Sequence, residues 1–170
     1  MKSTFFCDKK SLNLYDNKIK DDIKGLISKY GNYNLTSKYY AFLNKSNVDN
    51  LISNDFLVSL STFGKKFLLF MTKYNSKNYC IFINKKNECM NAIELKFSDE
   101  IFQGTLFDGE LIKNSSNQWI YLINDVCYYK GNNNITYNFA ERQKIIAKIL
   151  STEYEYDNHN FYIVQKMFFK

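Results

Sequence analysis

"GTLFDGELI", residues 104–112, places two carboxylates, Asp108 and Glu110, on either side of a glycine in an otherwise apolar run. The alternation reads as a β-strand, in which successive side chains point to opposite faces. Asp108 and Glu110 then share one face. A half-buried carboxylate must be paired or hydrogen-bonded. The stretch therefore implies a sheet whose other strands bring cations or donors to that face.

The segments around it carry the same strand character. "FLVSLS" (56–61), "KFLLFMTKY" (66–74), "NYCIFINK" (78–85), "CMNAIELKF" (89–97), "WIYLINDVCYY" (119–129) and "FYIVQKMFF" (161–169) are predicted strands. "KYNSKN" and "NKKNE" are turn-like and predict hairpins. Helical spacing of Ile19, Ile23, Leu26, Ile27 and Tyr30 predicts an amphipathic helix over 15–31, with Asp16 or Asn17 at its start and Gly31 past its end. A short helix is predicted over 45–53, with Ser46 and Asp49 placed for a capping box. A longer one is predicted over 138–150, capped by Asn138 with Glu141 and carrying Ile145, Ile146, Ile149 and Leu150 on one face. There is no linker-like stretch and no repeat. The expectation is one α+β domain over residues 1–170: a helical N-terminal extension (1–40) and an antiparallel sheet core (41–170) with flanking helices.

Composition narrows the function classes. With 45% hydrophobic residues in 170, the chain is expected to be globular. No run is long enough for a signal peptide or a membrane span, and the expected location is cytoplasmic. The four cysteines form no CxxC pair and, with the single histidine, His159, make no zinc spacing, so no metal or cofactor is expected. Cys80 and Cys127 sit in apolar runs and are expected to be core thiols. His159 lies in loop-like "YDNHN", which gives little support to histidine catalysis. A net charge of +6 is compatible with a polyanion partner.

In order, the motifs resemble the nucleotidyltransferase domain of mRNA capping enzymes, especially the guanylyltransferases of large DNA viruses. "TLFDGEL" is similar to one family motif, and "WIYLINDVCYYKGNNNITYNFAERQKII" to the next, through Asp125, Gly131, Phe139, Glu141 and Arg142. "FYIVQKMFF" resembles the apolar-x-x-Lys-aromatic strand that follows. The resemblance runs from about residue 40 to 169 and implies the guanylyltransferase-like fold. It also implies that Glu110 faces a nucleotide cleft, with Asp108 structural.

The family's catalytic motif, Lys-x-Asp-Gly-x-Arg, is altered. Its counterpart is "STFGKKFLLF", with Ser61 in place of the nucleophilic lysine, Phe63 in place of the aspartate, Gly64 in register and Lys66 in place of the arginine. The downstream metal-binding and phosphate-holding motifs have no counterpart here, nor does the oligonucleotide-binding-fold domain. The resemblance therefore implies a non-catalytic, snurportin-like relative. Its expected ligand is capped mRNA or a cap nucleotide, with translation or capping proteins as further partners and no membrane or DNA. A methylated guanine is a delocalised cation suited to aromatic faces, and the phosphates suit lysines. The candidate contacts are Phe63, Lys65, Lys66, Glu110, Trp119, Asn124 and Tyr128. Asn124 stands where the family has an aromatic that stacks on guanine. A scaffold subunit and an enzyme using Lys65 or Lys66 as a displaced nucleophile are the alternatives.

Overall fold

A computed structural model describes residues 1–31, 44–53, 56–156 and 161–169. The chain opens with a hairpin, β1 (Lys2–Phe6) and β2 (Lys9–Asn13), followed by α1 (Asn17–Tyr30) and the short α2 (Asp49–Ser53). Then come β3 (Lys65–Tyr74), β4 (Lys77–Asn84), β5 (Met90–Ile93), a 3-10 turn (Asp99–Phe102) and β6 (Gln103–Lys113). β7 (Trp119–Tyr129), the two-residue β8 (Asn132–Asn133), α3 (Phe139–Thr152) and β9 (Phe161–Gln165) complete it. The strands form one mostly antiparallel sheet in the order β1-β2-β5-β4-β3-β6-β7-β8, and β9 runs parallel to β7.

Both faces of the sheet are covered where its strands are most apolar. Alternation sends Leu68, Phe70, Ile81, Ile83 and Leu106 to one face, where Ile23 and Ile27 of α1 close over them. It sends Phe67, Leu69, Phe82, Phe107 and Leu111 to the other, where Ile146 and Ile149 of α3 pack. α1 starts at Asp16, whose carboxylate accepts the amides of Lys18 and Ile19. α3 starts at Asn138 with its capping box to Glu141 in place. The β3–β4 turn holds Asn75 and Ser76 at φ 49° and 63°, as a two-residue hairpin with the right twist requires. Cys80 and Cys127 are buried, as their apolar runs predict.

Several expectations need correction. The N-terminal extension is not wholly helical. Residues 2–13 form a hairpin that joins the sheet through pairing of Ser11–Asn13 with Asn91–Ile93. Its turn residues, Cys7 and Asp8, reach positive φ (51° and 61°) without a glycine, so no turn signal marks them. Residues 56–61 do not form a strand. They are exposed and make one bridge, Val58 to Phe169. Ser46 does not stand at the cap of the helix predicted over 45–53: its hydroxyl donates to Asn44 Oδ1 (2.6 Å), and the helix begins only at Asp49. The last strand ends at Gln165 rather than continuing to 169. His159 lies outside the described residues.

Gly109 is explained by its neighbour on the next strand. A Cβ there would lie 2.5 Å from the carbonyl oxygen of Leu122 and 2.8 Å from the Tyr121 ring. That ring is fully buried, and its hydroxyl lies 3.1 Å from the Phe67 carbonyl and 3.3 Å from that of Phe107. The glycine thus opens the space through which tyrosine crosses the strand. Gly109→Ala is expected to cost about 2–3 kcal/mol by overpacking, read as a lower urea midpoint at an unchanged slope.

Candidate functional site

At one end of the α1-covered face the apolar residues give way to charge. The register sets Lys66 against Glu110 and Leu68 against Asp108 across β3 and β6, and Asp108 against Asp125 across β6 and β7. Each carboxylate meets its own cation. Lys85 reaches Asp108 at 3.0 Å, and the Arg142 guanidinium, one turn into α3, grips Asp125 with bonds of 2.7 and 3.0 Å. Like charges facing each other across strands are unfavourable unless neutralised this way.

Glu110 is the one that meets two lysines. It is fully buried. Lys66 Nζ lies 3.0 Å from Oε2, Lys166 Nζ lies 3.2 Å from Oε1, and the Thr62 hydroxyl donates to Oε1. Lys166 Nζ also donates to the Thr62 hydroxyl at 3.2 Å. Burial by itself raises the carboxyl pKa, but the hydrogen bonds from Thr62, Lys66 and Lys166 and the Lys66 charge outweigh it, and the net shift is downward. A Cβ at Gly64 would come within 2.9 Å of Oε2, so the glycine lets the chain pass close over the carboxylate. Glu110 therefore fastens three elements together: the segment before β3, β3 itself and the residue after β9.

Above this cluster lies a cleft of about 590 Å³. Lys66, Lys85 and Lys166 project into it beside Asp108 and Asp125. Ser59, Ser61, Thr62 and Phe63 form one wall, and Asn124, Phe139 and Phe168 line the rest. Phe139 and Phe168 meet edge to face with ring centroids 4.8 Å apart. Phe63 is fully exposed. Four cations (Lys66, Lys85, Lys166, Arg142) here face three carboxylates. A larger hollow of about 740 Å³ opens elsewhere, between β2, β4 and the 3-10 turn, and none of Asp108, Glu110 and Asp125 lines it. The smaller cleft is the candidate site because the paired charges, the exposed Phe63 ring and the half-buried Phe139 and Phe168 converge there.

Of the sequence candidates, Phe63, Lys66 and Asn124 line this cleft, and Glu110 lies directly beneath it. Three lie elsewhere. Lys65 falls on the opposite face of β3, near enough to Cys7 to act on its thiol electrostatically, as Lys113 also does. Trp119 sits at the far end of β7, its indole donating to Asp8 at 3.0 Å and its ring under Lys113 at 4.8 Å. Tyr128 is fully buried in the core beneath α1. Nine cleft residues were not picked out as ligand contacts: Ser61, Asp108, Asp125 and Phe139, named only as motif residues, and Ser59, Thr62, Lys85, Lys166 and Phe168. Lys166 and Phe168 belong to the apolar-x-x-Lys-aromatic stretch, which is the signal that leads to them. Lys85 reads only as part of a turn.

A family model of the mRNA capping enzyme catalytic domain matches residues 37–169. No curated protein matches the chain significantly. The family match takes in every strand that builds the cleft together with its charged cluster, and it covers well over half of the sequence. The chain belongs to the mRNA capping enzyme catalytic-domain family.

Proposed function

We propose that this protein is a non-catalytic reader of the mRNA 5′ cap. The observation that carries the reading is the commitment of every lysine lining the cleft. Lys66 and Lys166 are held on Glu110 and Lys85 on Asp108, whereas an attacking amine needs a free lone pair aimed at its phosphorus. The position of the family's nucleophile is occupied by Ser61, which has no histidine beside it among the described residues. Ammonium groups fixed in this way suit a polyphosphate bridge, as point charges held in place before the ligand arrives. The exposed Phe63 ring and the Phe139–Phe168 pair offer faces to a methylated guanine.

Incubation with GTP labelled at the α-phosphate and a divalent cation, followed by denaturation, tests the non-catalytic part. The expected result is no labelled protein. A stable adduct that disappears in Lys66→Ala would make the chain an enzyme.

A second reading, a scaffold subunit of a capping or translation complex, is favoured by one further observation. Phe56, Leu57, Val58, Leu60, Met167 and Phe169 are all exposed where residue 58 pairs with residue 169. On that reading neither GTP nor a capped RNA binds the cleft.

A further inference from the structure

Asn124 breaks the alternation of β7. In the ladder with β6, Asp108 pairs with Asp125 and Gly109 with Ile123, which leaves Asn124 as the extra residue of a β-bulge. A bulge re-aims the side chain it carries, and this one lines the cleft beside Asp125 and Phe139. The bulge is held from behind, since the main-chain carbonyl of Asn124 accepts a hydrogen bond from Gln143 of α3 at 3.0 Å.

The side-chain oxygen Oδ1 is buried and has no donor among the described residues. Among the described residues, Asn124 lines the cleft and Ser11 and Asn134, which also carry such a buried atom, do not. The neighbouring donors are engaged elsewhere. Arg142 bonds Asp125 at 2.7 and 3.0 Å, Lys85 bonds Asp108 at 3.0 Å, and the Gln143 amide bonds the Asn124 carbonyl. A buried acceptor without a donor is costly to keep. In a cleft it is a place prepared for a ligand N–H.

We infer that Asn124 reads the edge of the bound base, accepting one of its ring-edge N–H groups at Oδ1. The inference rests on the cap reading above and adds to it the group that recognises the base. Guanine presents two such donors side by side, N1–H and the 2-amino group. The aromatic rings supply faces and the lysines supply charge, but neither discriminates one base from another. The positive charge of 7-methylguanine strengthens its N1–H and amino donors, so the Asn124 oxygen adds to the preference for the methylated base that the aromatics supply.

The test is a titration of wild type and Asn124→Leu with four ligands: 7-methyl-GTP, GTP, 7-methylinosine triphosphate (no 2-amino group) and 1,7-dimethyl-GTP (no N1–H). Asn124→Leu is expected to weaken 7-methyl-GTP about tenfold or more, the effect of leaving a donor unpaired. It is expected to leave unchanged the affinity for the analogue lacking the recognised N–H. The variant loses at least as much affinity for 7-methyl-GTP as for GTP, because the cationic base is the stronger donor. Without ligand, the variant melts at or above the wild-type temperature, because the orphaned oxygen is gone. Equal weakening of all four ligands, or none, overturns the inference while leaving the cap reading intact. Wild-type protein that binds none of them overturns both. Should the variant fail to fold, wild type alone decides: undiminished affinity for both analogues overturns the inference.

Discussion

Glu110→Gln lowers stability at pH 7 by about 2–3 kcal/mol, below the 3–5 kcal/mol of a fully buried broken pair because Lys66 keeps access to water. The substitution keeps the shape of the side chain and removes its charge. The amide keeps one acceptor oxygen, so one of Lys66 and Lys166 faces its NH2 group and loses its partner, the other bonds an uncharged oxygen, and Thr62 loses a charged acceptor for its hydroxyl. The effect has a definite pH signature. In the folded protein the Glu110 carboxyl titrates below its ordinary value. Its contribution is therefore complete above the unfolded pKa of about 4.3 and is lost as pH falls through the lower folded value. Urea midpoints of wild type and variant are expected to differ at pH 7 and to converge as the solution is acidified below about pH 4. A gap of the same size at both ends would mean that the glutamate acts through packing and not through charge. The variant also weakens phosphate binding, because the two lysines lose the group that orients them.

Phe63→Ala separates binding from folding. The ring is fully exposed, so its removal is expected to change stability by less than about 0.5 kcal/mol. Loss of a stacking face costs about 1–3 kcal/mol per base, or roughly 5- to 150-fold in affinity for a methylated cap. Trp119→Ala is the matched opposite. It removes the hydrogen bond to Asp8 and the packing against the α3-side core, and it leaves the cleft untouched. Stability falls and cap affinity does not. Calorimetric titration beside thermal melts of the two variants checks both halves. A Phe63→Ala protein with unchanged affinity would move the stacking role to Phe139 and Phe168.

The contrast between these two aromatics shows where a sequence stops being informative. β6, β7 and α3 are legible because each carries a strong local pattern: alternation in the strands, and a capping box followed by a helical apolar face in α3. The carboxylates are legible as partners in need of cations, and their cations arrive as the physics requires. The identity of those cations is not legible, because Lys85 and Lys166 come from segments far from Asp108 and Glu110 in the chain. The face on which a strand residue ends is lost wherever alternation slips. β7 carries extra residues at 124 and 127, which bring Asp125 opposite Asp108 and Tyr128 opposite Leu106. Strict period two would assign Ile123 and Asp125 to one face, whereas the bulge between them turns Asp125 toward the charged cluster. The hairpin at residues 2–13 is hidden for a different reason. Its strands are short and lysine-bearing, and its turn uses a cysteine and an aspartate where a glycine would have announced it. Conversely, residues 56–61 have the composition of a strand and remain at the surface, since composition reports propensity and not burial.

The cap reading is tested most directly by equilibrium binding of the full chain to one short RNA in three forms, with a methylated cap, an unmethylated cap and no cap, at moderate salt. The account predicts clear preference for the methylated cap, with lysine contacts to the phosphates making the affinity fall as salt rises. Equal, weak, salt-sensitive binding to all three forms would contradict it and leave the cleft without a cap to read.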